Sequence, residues 1–335
     1  MAALNRTQDQ VKAAMRMVDG AEGTPIEKAE MLMEIAMELQ QKPQYVEDIE
    51  AAINLYSEAM KIEGAEMPLL IARIRARMST ALLMMPSEDP KYLEEARENL
   101  EAAIPTFVAE SGNEELAEAE MNLGLVLQNL ASMSRAPITE AISAYQRSLR
   151  TFNKVNHPKE FAILQSNLAT AFLSIPFTDE RSKMREALAV QAFEEGLSVV
   201  TLIDNPSEYA MLQNNLGNAL QYASSSHRVE NGFRALEAYD EALKVRTRRN
   251  APGEHANTIS NKANCLANLP DDPASPEQGN PKNMETAIQL YQEAKSIFEE
   301  TGEMGKVAAV VEAISELQQE LPSNEAIENL SLIHI

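Results

Sequence analysis

The sequence predicts an all-α fold, a solenoid of about six to seven stacked helical hairpins, and three observations carry that expectation. The first is composition. Among 335 residues, 44% are hydrophobic and 24% charged, with only 12 glycines and 16 prolines. Ala, Glu, Leu, Gln and Met dominate, the residues that lose least side-chain freedom in a helix. Stretches alternating β-branched and aromatic residues are few, so strands are not expected.

The second observation is an internal repeat, the feature to look for first in a long chain. The segment Ala210-Met-Leu-Gln-Asn-Asn-Leu-Gly-Asn-Ala-Leu220 recurs at Ala162 to Phe172 and at Ala117 to Leu127. A weaker copy runs from Ala72 to Leu82, and another begins at Ala256. The marker positions Arg77, Asn122, Asn167, Asn215 and Asn261 are 45, 45, 48 and 46 residues apart. Apolar residues within each copy fall at helical spacing.

The third observation is a second pattern that alternates with the first. Ala235 to Leu243 matches Ala141 to Leu149 and Ala287 to Lys295, with further copies at Ala52, Ala96 and Ala189. Alanine, an aromatic or leucine, and a small residue stand at i, i+4 and i+7, which is one stripe of a helix. Tyr56, Leu100, Tyr145, Phe193, Tyr239 and Tyr291 are spaced by 44, 45, 48, 46 and 52. Two helical patterns sharing one period describe paired helices stacked in file.

Taken in order, residues 1–24 have helical composition and are expected to cap the first hairpin, and residues 25–329 are expected to form the repeat domain. Pro43, Pro86, Pro176 and Pro270 fall just after a first helix, where a missing N–H ends the ladder. Pro158, Pro206 and Pro252 open the next unit, proline being favoured in a first helical turn. Gly124 and Gly217 fall in mid-helix, which predicts a neighbouring helix in close approach, and Ser79, Ala169 and Ala263 at the same place are also small. The longest step is explained by the loop from Pro270 to Pro281, too rich in Pro and Asp for a helix. The last six residues, Leu330 to Ile335, read as the translation of CTG-TCT-CTT-ATA-CAC-ATC, which resembles a transposase adapter of sequencing libraries. Residues 330–335 are therefore expected to be an artefact replacing the native C-terminus.

The small residue after Asn-Leu in the first helix, followed by Ala-x-x-x-Tyr/Phe-x-x-Ala-Leu in the second, resembles the tetratricopeptide repeat (TPR) family. Asn214-Asn-Leu-Gly217 and the long units are similar to the kinesin-light-chain type and its bacterial relatives. The resemblance covers roughly residues 25 to 320, although the period exceeds the 34 residues of the standard repeat. It implies a right-handed superhelix and protein–protein scaffolding, with a peptide or helix gripped along the concave face lined by first helices.

Acidic residues outnumber basic ones by 51 to 29, a net charge of −22. A field of that sign repels phosphate, so neither nucleic acid nor an anionic membrane is an expected partner. Cys265 is the single cysteine, which rules out an intrachain disulfide and fits a reducing compartment. With no basic-then-apolar leader and no run near the ~18 apolar residues of a membrane span, a cytoplasmic protein is expected.

Candidate binding residues follow from the face of the first helices that the core leaves free. Asn214, Asn218 and Gln221 stand at i, i+4 and i+7, and Asn257, Asn264 and Asn268 occupy the next unit. Amides both donate and accept, which suits the backbone of an extended peptide, but they equally suit bonding between repeats. Arg73 and Arg77, at i and i+4, could fork onto a partner carboxylate or pair with neighbouring glutamates. The run Lys244-Val-Arg246-Thr-Arg248-Arg249 reads as a helix C-terminus complementing the dipole.

Catalytic chemistry finds little support. The histidines His157, His227 and His255 are scattered, and no His-x-x-x-His, Cys-x-x-Cys, glycine-rich phosphate loop or Gly-x-Ser-x-Gly turn occurs. No enzyme, cofactor or metal is expected. The expected function is a protein- or peptide-binding scaffold. The rival readings are a regulatory repeat region of a larger signalling or catalytic protein, and a dedicated assembly chaperone.

Overall fold

The computed structural model describes residues 2–64, 67–87, 89–176, 181–224 and 227–321; the terminal six residues set apart above lie outside that range. Among the described residues there are fourteen α-helices and no strand. They are α1 (Ala2–Asp19), α2 (Pro25–Gln41), α3 (Val46–Ala59), α4 (Pro68–Leu83), α5 (Lys91–Glu110), α6 (Asn113–Ser132) and α7 (Ile138–Ser148), then α8 (Pro158–Leu173), α9 (Arg181–Leu197), α10 (Pro206–Tyr222), α11 (Arg228–Leu243), α12 (Pro252–Ala267), α13 (Pro281–Thr301) and α14 (Met304–Glu320). Contacts are most extensive within the pairs α2/α3, α4/α5, α6/α7, α8/α9, α10/α11 and α12/α13, which are six hairpins. The chain divides into two compact units, residues 1–156 and 157–335, with three hairpins in each.

Helix boundaries follow local chemistry. Five of the six first helices begin on a proline, whose absent N–H would have no partner in the first turn anyway. At α2 a capping box adds to this: Thr24 N–H donates to Glu27 Oε2 at 2.7 Å, and Glu27 N–H donates to Thr24 Oγ1 at 3.3 Å. The Pro270–Pro281 loop holds a single 3-10 turn at Pro276–Gln278. The basic run after α11 differs from its expected placement. Helix α11 ends at Leu243, so Arg246 and Arg248 lie in the connecting loop. There they pair with Glu254 (3.4 Å) and Glu300 (2.6 Å) on the following helices.

One contact recurs in the hairpins. The eleventh residue after the start of each first helix is small and buried: Ala36, Ser79, Gly124, Ala169, Gly217 and Ala263. A Cβ built on Gly217 would lie 2.6 Å from the Tyr239 ring, and one on Gly124 would collide with the Tyr145 ring. The rings therefore occupy the space that the missing Cβ leaves. Tyr56, Tyr145 and Tyr239 are fully buried, so each phenol needs an acceptor. Four residues after the small one, a glutamine supplies it. Tyr56 donates to Gln40 Oε1 at 2.8 Å, Tyr145 to Gln128 Oε1 at 2.9 Å, and Tyr239 to Gln221 Oε1 at 2.8 Å. Burial pushes all three phenols above their ordinary pKa, which keeps them protonated donors. Where the second helix carries Leu100 or Phe193 instead, the glutamine position holds Leu83 or Leu173. A hydroxyl and its amide thus come and go together in these five hairpins; in the sixth, Tyr291 faces a first helix with Ala267 at the glutamine position.

Within each unit the first helices also touch their neighbours, α2 with α4 and α4 with α6, and likewise α8 with α10 and α10 with α12. Among the described residues the second helices make no contact of comparable extent with one another. Helix α1 packs mainly on α3 through polar groups. Asp48 accepts from Gln10 (2.8 Å), Gln44 N (2.8 Å) and Tyr45 N (3.0 Å), and Arg6 approaches the same carboxylate at 3.3 Å.

Two predictions follow from these contacts. Tyr239→Ala is expected to destabilise by about 3–5 kcal/mol, as aromatic truncations in cores do. Gly217→Ala is expected to destabilise too, by about 1–3 kcal/mol of overpacking, although alanine is the better helix former. Urea denaturation measures both, and a Gly217→Ala chain as stable as wild type would remove the ring-on-glycine contact. The third prediction concerns pH. Burial alone would raise the Asp48 pKa, but the bonds from Gln10, Gln44 and Tyr45 and the Arg6 charge outweigh it and hold the carboxyl below its ordinary value. Its contribution is therefore complete above the ordinary carboxylate value and lost as pH falls through the lower folded one. Amide exchange of α1 should accelerate in that acid window in wild type, and Asp48→Asn should show a smaller step there.

Candidate functional site

The candidate residues fall on the faces where successive first helices meet, and each unit is taken by itself. In residues 1–156 that face holds a cavity of about 300 Å³ between α2, α4 and α6. Met33, Met37 and Ala119 supply apolar wall, and Arg73, Arg77 and Glu34 line the same space. The two arginines are engaged within the protein. Arg73 donates to Glu115 through Nε (2.7 Å) and Nη2 (3.2 Å), a forked bond that ties α4 to α6. The Glu115 bond is also what holds the Arg73 pKa above its ordinary value. Arg77 stands 3.8 Å from Glu118. Of the two roles weighed for these residues, the pair with neighbouring glutamates is the one formed in this structure. Both partners are part-exposed, so each pair contributes about 0–1 kcal/mol.

In residues 157–335 the corresponding face is amide-rich, with one ion pair between its first helices, Lys159 of α8 to Glu208 of α10 at 3.1 Å. Asn215 Nδ2 donates to Ser166 Oγ of α8, Asn214 Nδ2 donates to Asn215 Oδ1, and Asn261 Nδ2 of α12 donates to Asn214 Oδ1, each at 3.3 Å. These three bonds link α8, α10 and α12 in a row. At 3.3 Å they are long for N–H···O bonds, and each amide has further donor and acceptor capacity. Asn214 itself is buried, with 7% of its surface exposed. Asn218 and Gln221 are half-buried, and their carbonyl oxygens lie 2.7 and 2.8 Å from the Tyr239 hydroxyl, competing for its one proton. The three residues read from sequence as one open face therefore serve the interior as well.

The more open amides lie on α12. Asn257 is half-buried and stands five residues into α12, where Arg73 stands in α4. Asn264 donates to the hydroxyl of Tyr222 at 2.6 Å, and the exposed Asn268 donates back to the Asn264 carbonyl at 2.8 Å. Gln221, Tyr222, Asn264 and Asn268 share a cavity of about 310 Å³ with Arg228 and Leu269. Tyr222 is 67% exposed, an aromatic surface beside amide donors. Three candidates thus come together there, while Asn214, Asn218 and Asn257 do not line it. Cys265 lines its floor, buried and with its thiol pushed up to about 11 by desolvation, which leaves it protonated and inert at neutral pH.

Sequence reasoning missed Gln40 and Gln128, the phenol acceptors, and Ser166, the far end of the amide row. The signal for the glutamines was present: each follows the small residue by four whenever the facing residue is a fully buried tyrosine. His255 is a strut, its Nδ1 2.8 Å from the Arg246 carbonyl oxygen and its Nε2 3.2 Å from Glu293. Among the described residues no helix is long and apolar enough to cross a membrane, and no three or more of His, Cys, Asp and Glu are grouped to hold a metal ion.

If the Arg73 pair is a surface bond of ordinary strength, Arg73→Ala should shift stability by less than about 1 kcal/mol. Urea denaturation at low and high salt checks this; a loss several times larger would make the pair a principal tie between α4 and α6.

No family model matches this sequence, and no curated protein does. Among solved structures, the apo form of RapI is similar at a TM-score of 0.51 and 13% identity, covering 87% of this chain and 98% of that one. A Rap protein complexed with competence and sporulation factor gives 0.44 at 11% identity, over 96% of this chain and 98% of that one. The TPR2AB domain of yeast Sti1, in a complex with pHSP90, gives 0.30 at 13% identity, over 87% and 99%. Identities this low speak to fold alone. In its fold, the chain is a TPR-like all-helical repeat protein.

Proposed function

We propose that the protein is an interaction scaffold that takes a protein or peptide segment along the concave face of its first helices. The amide row of α8, α10 and α12 is the observation that carries this reading. A helix face that only met solvent would favour charged side chains in so acidic a chain, whereas this face concentrates Asn214, Asn215, Asn261, Asn264 and Asn268. Asparagine is a poor helix former, so its concentration in two helices needs a compensating role. Bonding between repeats uses part of that capacity, and the remaining donors and acceptors fit the backbone of an extended segment. In the same reading the chain is a long-period repeat of the kinesin-light-chain type, supported by its steps of 45 to 48 residues, and α1 caps the first hairpin through α3. The free, buried thiol of Cys265 fits a cytoplasmic setting.

The test places a photo-crosslinking residue at Asn257 or Asn268 on the first-helix face, and at the exposed Glu237 on α11 as a control. The expected outcome is one discrete partner captured at both first-helix positions and absent from the control. Capture from position 237 alone would move the binding surface to the second helices.

A further inference from the structure

The first-helix face of residues 1–156 carries more negative than positive charge, and the surplus lies on one helix. Three carboxylates, Glu34, Glu115 and Glu118, line its cavity of about 300 Å³ together with two guanidinium groups, Arg73 and Arg77. Both arginines turn to α6, where Arg73 forks onto Glu115 and Arg77 stands beside Glu118. The Glu34 carboxylate of α2 is left exposed, with no ion pair or hydrogen bond among the described residues. Glu30, one turn earlier and also exposed, acts on Arg73 through its charge without pairing with it. Like charges at i and i+4 destabilise a helix, so a cation placed between these two glutamates would relieve α2. The same cavity is walled by the half-buried Met33 and Met37 and by the buried Phe107 and Ala119. Methionine is unbranched and polarizable, and it adapts to the shape of a guest.

We propose that this cavity seats an amphipathic helix of a partner protein, one that carries a lysine or arginine a turn away from an aliphatic side chain. The inference rests on the scaffold reading and names the partner of the first unit. The aliphatic side chain packs on the methionines, and the cation meets Glu34 and Glu30. The sign of the guest follows from the pairing already present. An acidic guest would have to displace Glu115 from a forked bond to reach Arg73, whereas a cation finds Glu34 unengaged. The helical form follows from what the face lacks. An extended guest needs neutral donors and acceptors for its backbone, which the amides of α10 and α12 supply in the second unit. Here Thr80 Oγ1 is engaged, donating to the Arg77 carbonyl at 2.7 Å and accepting from Gln40 at 2.6 Å, which leaves Asn122. A helix satisfies its own backbone and needs only apolar wall and complementary charge from its groove.

The probe is a labelled synthetic peptide with leucine and lysine at amphipathic helical spacing, titrated against the full chain. Saturable binding is expected. Glu34→Gln, a change at an exposed position, should weaken it about fivefold without moving the unfolding midpoint, and Met37→Gln should weaken it by a similar factor. Glu237→Gln, on the exposed side of α11, removes the same charge and should leave the affinity unchanged. Four results overturn the proposal. One is absence of saturable binding. Equal binding of a lysine–serine peptide, or equal weakening by Glu34→Gln and Glu237→Gln, reduces the effect to the net charge of the chain. Tighter binding of a leucine–glutamate peptide makes the arginines the site and reverses the sign of the guest. If any of these occurs while a discrete partner is still captured at Asn257 and Asn268, this inference alone fails and the scaffold reading stands. Binding as expected, with no capture at those two positions, sustains the inference and confines the scaffold to its first unit.

Discussion

A small residue eleven positions into each first helix lets its hairpin close, and in two of the six hairpins that residue has no Cβ at all. At Gly124 and Gly217 the first helix carries no Cβ, and the tyrosine ring of the second helix fills the vacated space. The ring is then wholly buried, and its hydroxyl, which cannot be left without a partner at a cost of several kcal/mol, points back to an amide one turn further along the first helix. Close approach and polar satisfaction are thus set by residues four apart on one helix. A hairpin held in this way still exposes the far side of each helix, which is why the hairpins stack: α12 gives Ala256, Ile259, Ala263 and Leu266 to its own hairpin's core, and Cys265, with Leu269 just beyond the helix end, goes to the preceding one.

That dual use explains why the candidate binding face is less free than its sequence suggests. Asn218 and Gln221 compete for the Tyr239 proton, Asn214 joins α10 to α12, and Gln40 of α2 both accepts from Tyr56 and donates to Thr80 of α4. The amides are part of the scaffold before they are part of any site. What remains open lies toward α12 and around Tyr222, where the side chains answer to fewer internal partners. In the first unit the same positions are charged, and glutamates on α6 draw the arginines of α4 into pairs. The two units thus present chemically different faces on one architecture.

Much of the fold was legible because helical period and punctuation are local. The Ala-x-x-x-Tyr stripe, the mid-helix glycines and the prolines after first helices all mark what they were expected to mark. The first helix of the leading hairpin, α2, escaped the repeat search because it lacks the Asn-Leu marker, although Ala29 and Ala36 hold the two small positions. Helix α14 escaped it for the same reason. The site was less legible. Whether an asparagine faces solvent or a neighbouring hairpin depends on how far one hairpin rotates against the next, and a single helix does not encode that angle. Arg73 illustrates the limit: its forked partner, Glu115, lies 42 positions away.

The coupling between phenol and amide is tested most directly by a double-mutant cycle on Tyr145→Phe and Gln128→Leu, followed by urea denaturation. This pair is the cleanest because Gln128 is the acceptor of the Tyr145 hydroxyl, and because Phe193 with Leu173 already forms the apolar version elsewhere in the chain. Each single change should cost about 1–2 kcal/mol by leaving a buried polar group without its partner. The double change should recover most of that loss, a coupling of about 2 kcal/mol. Strictly additive losses would contradict the account, since the two side chains would then be acting on stability without reference to each other.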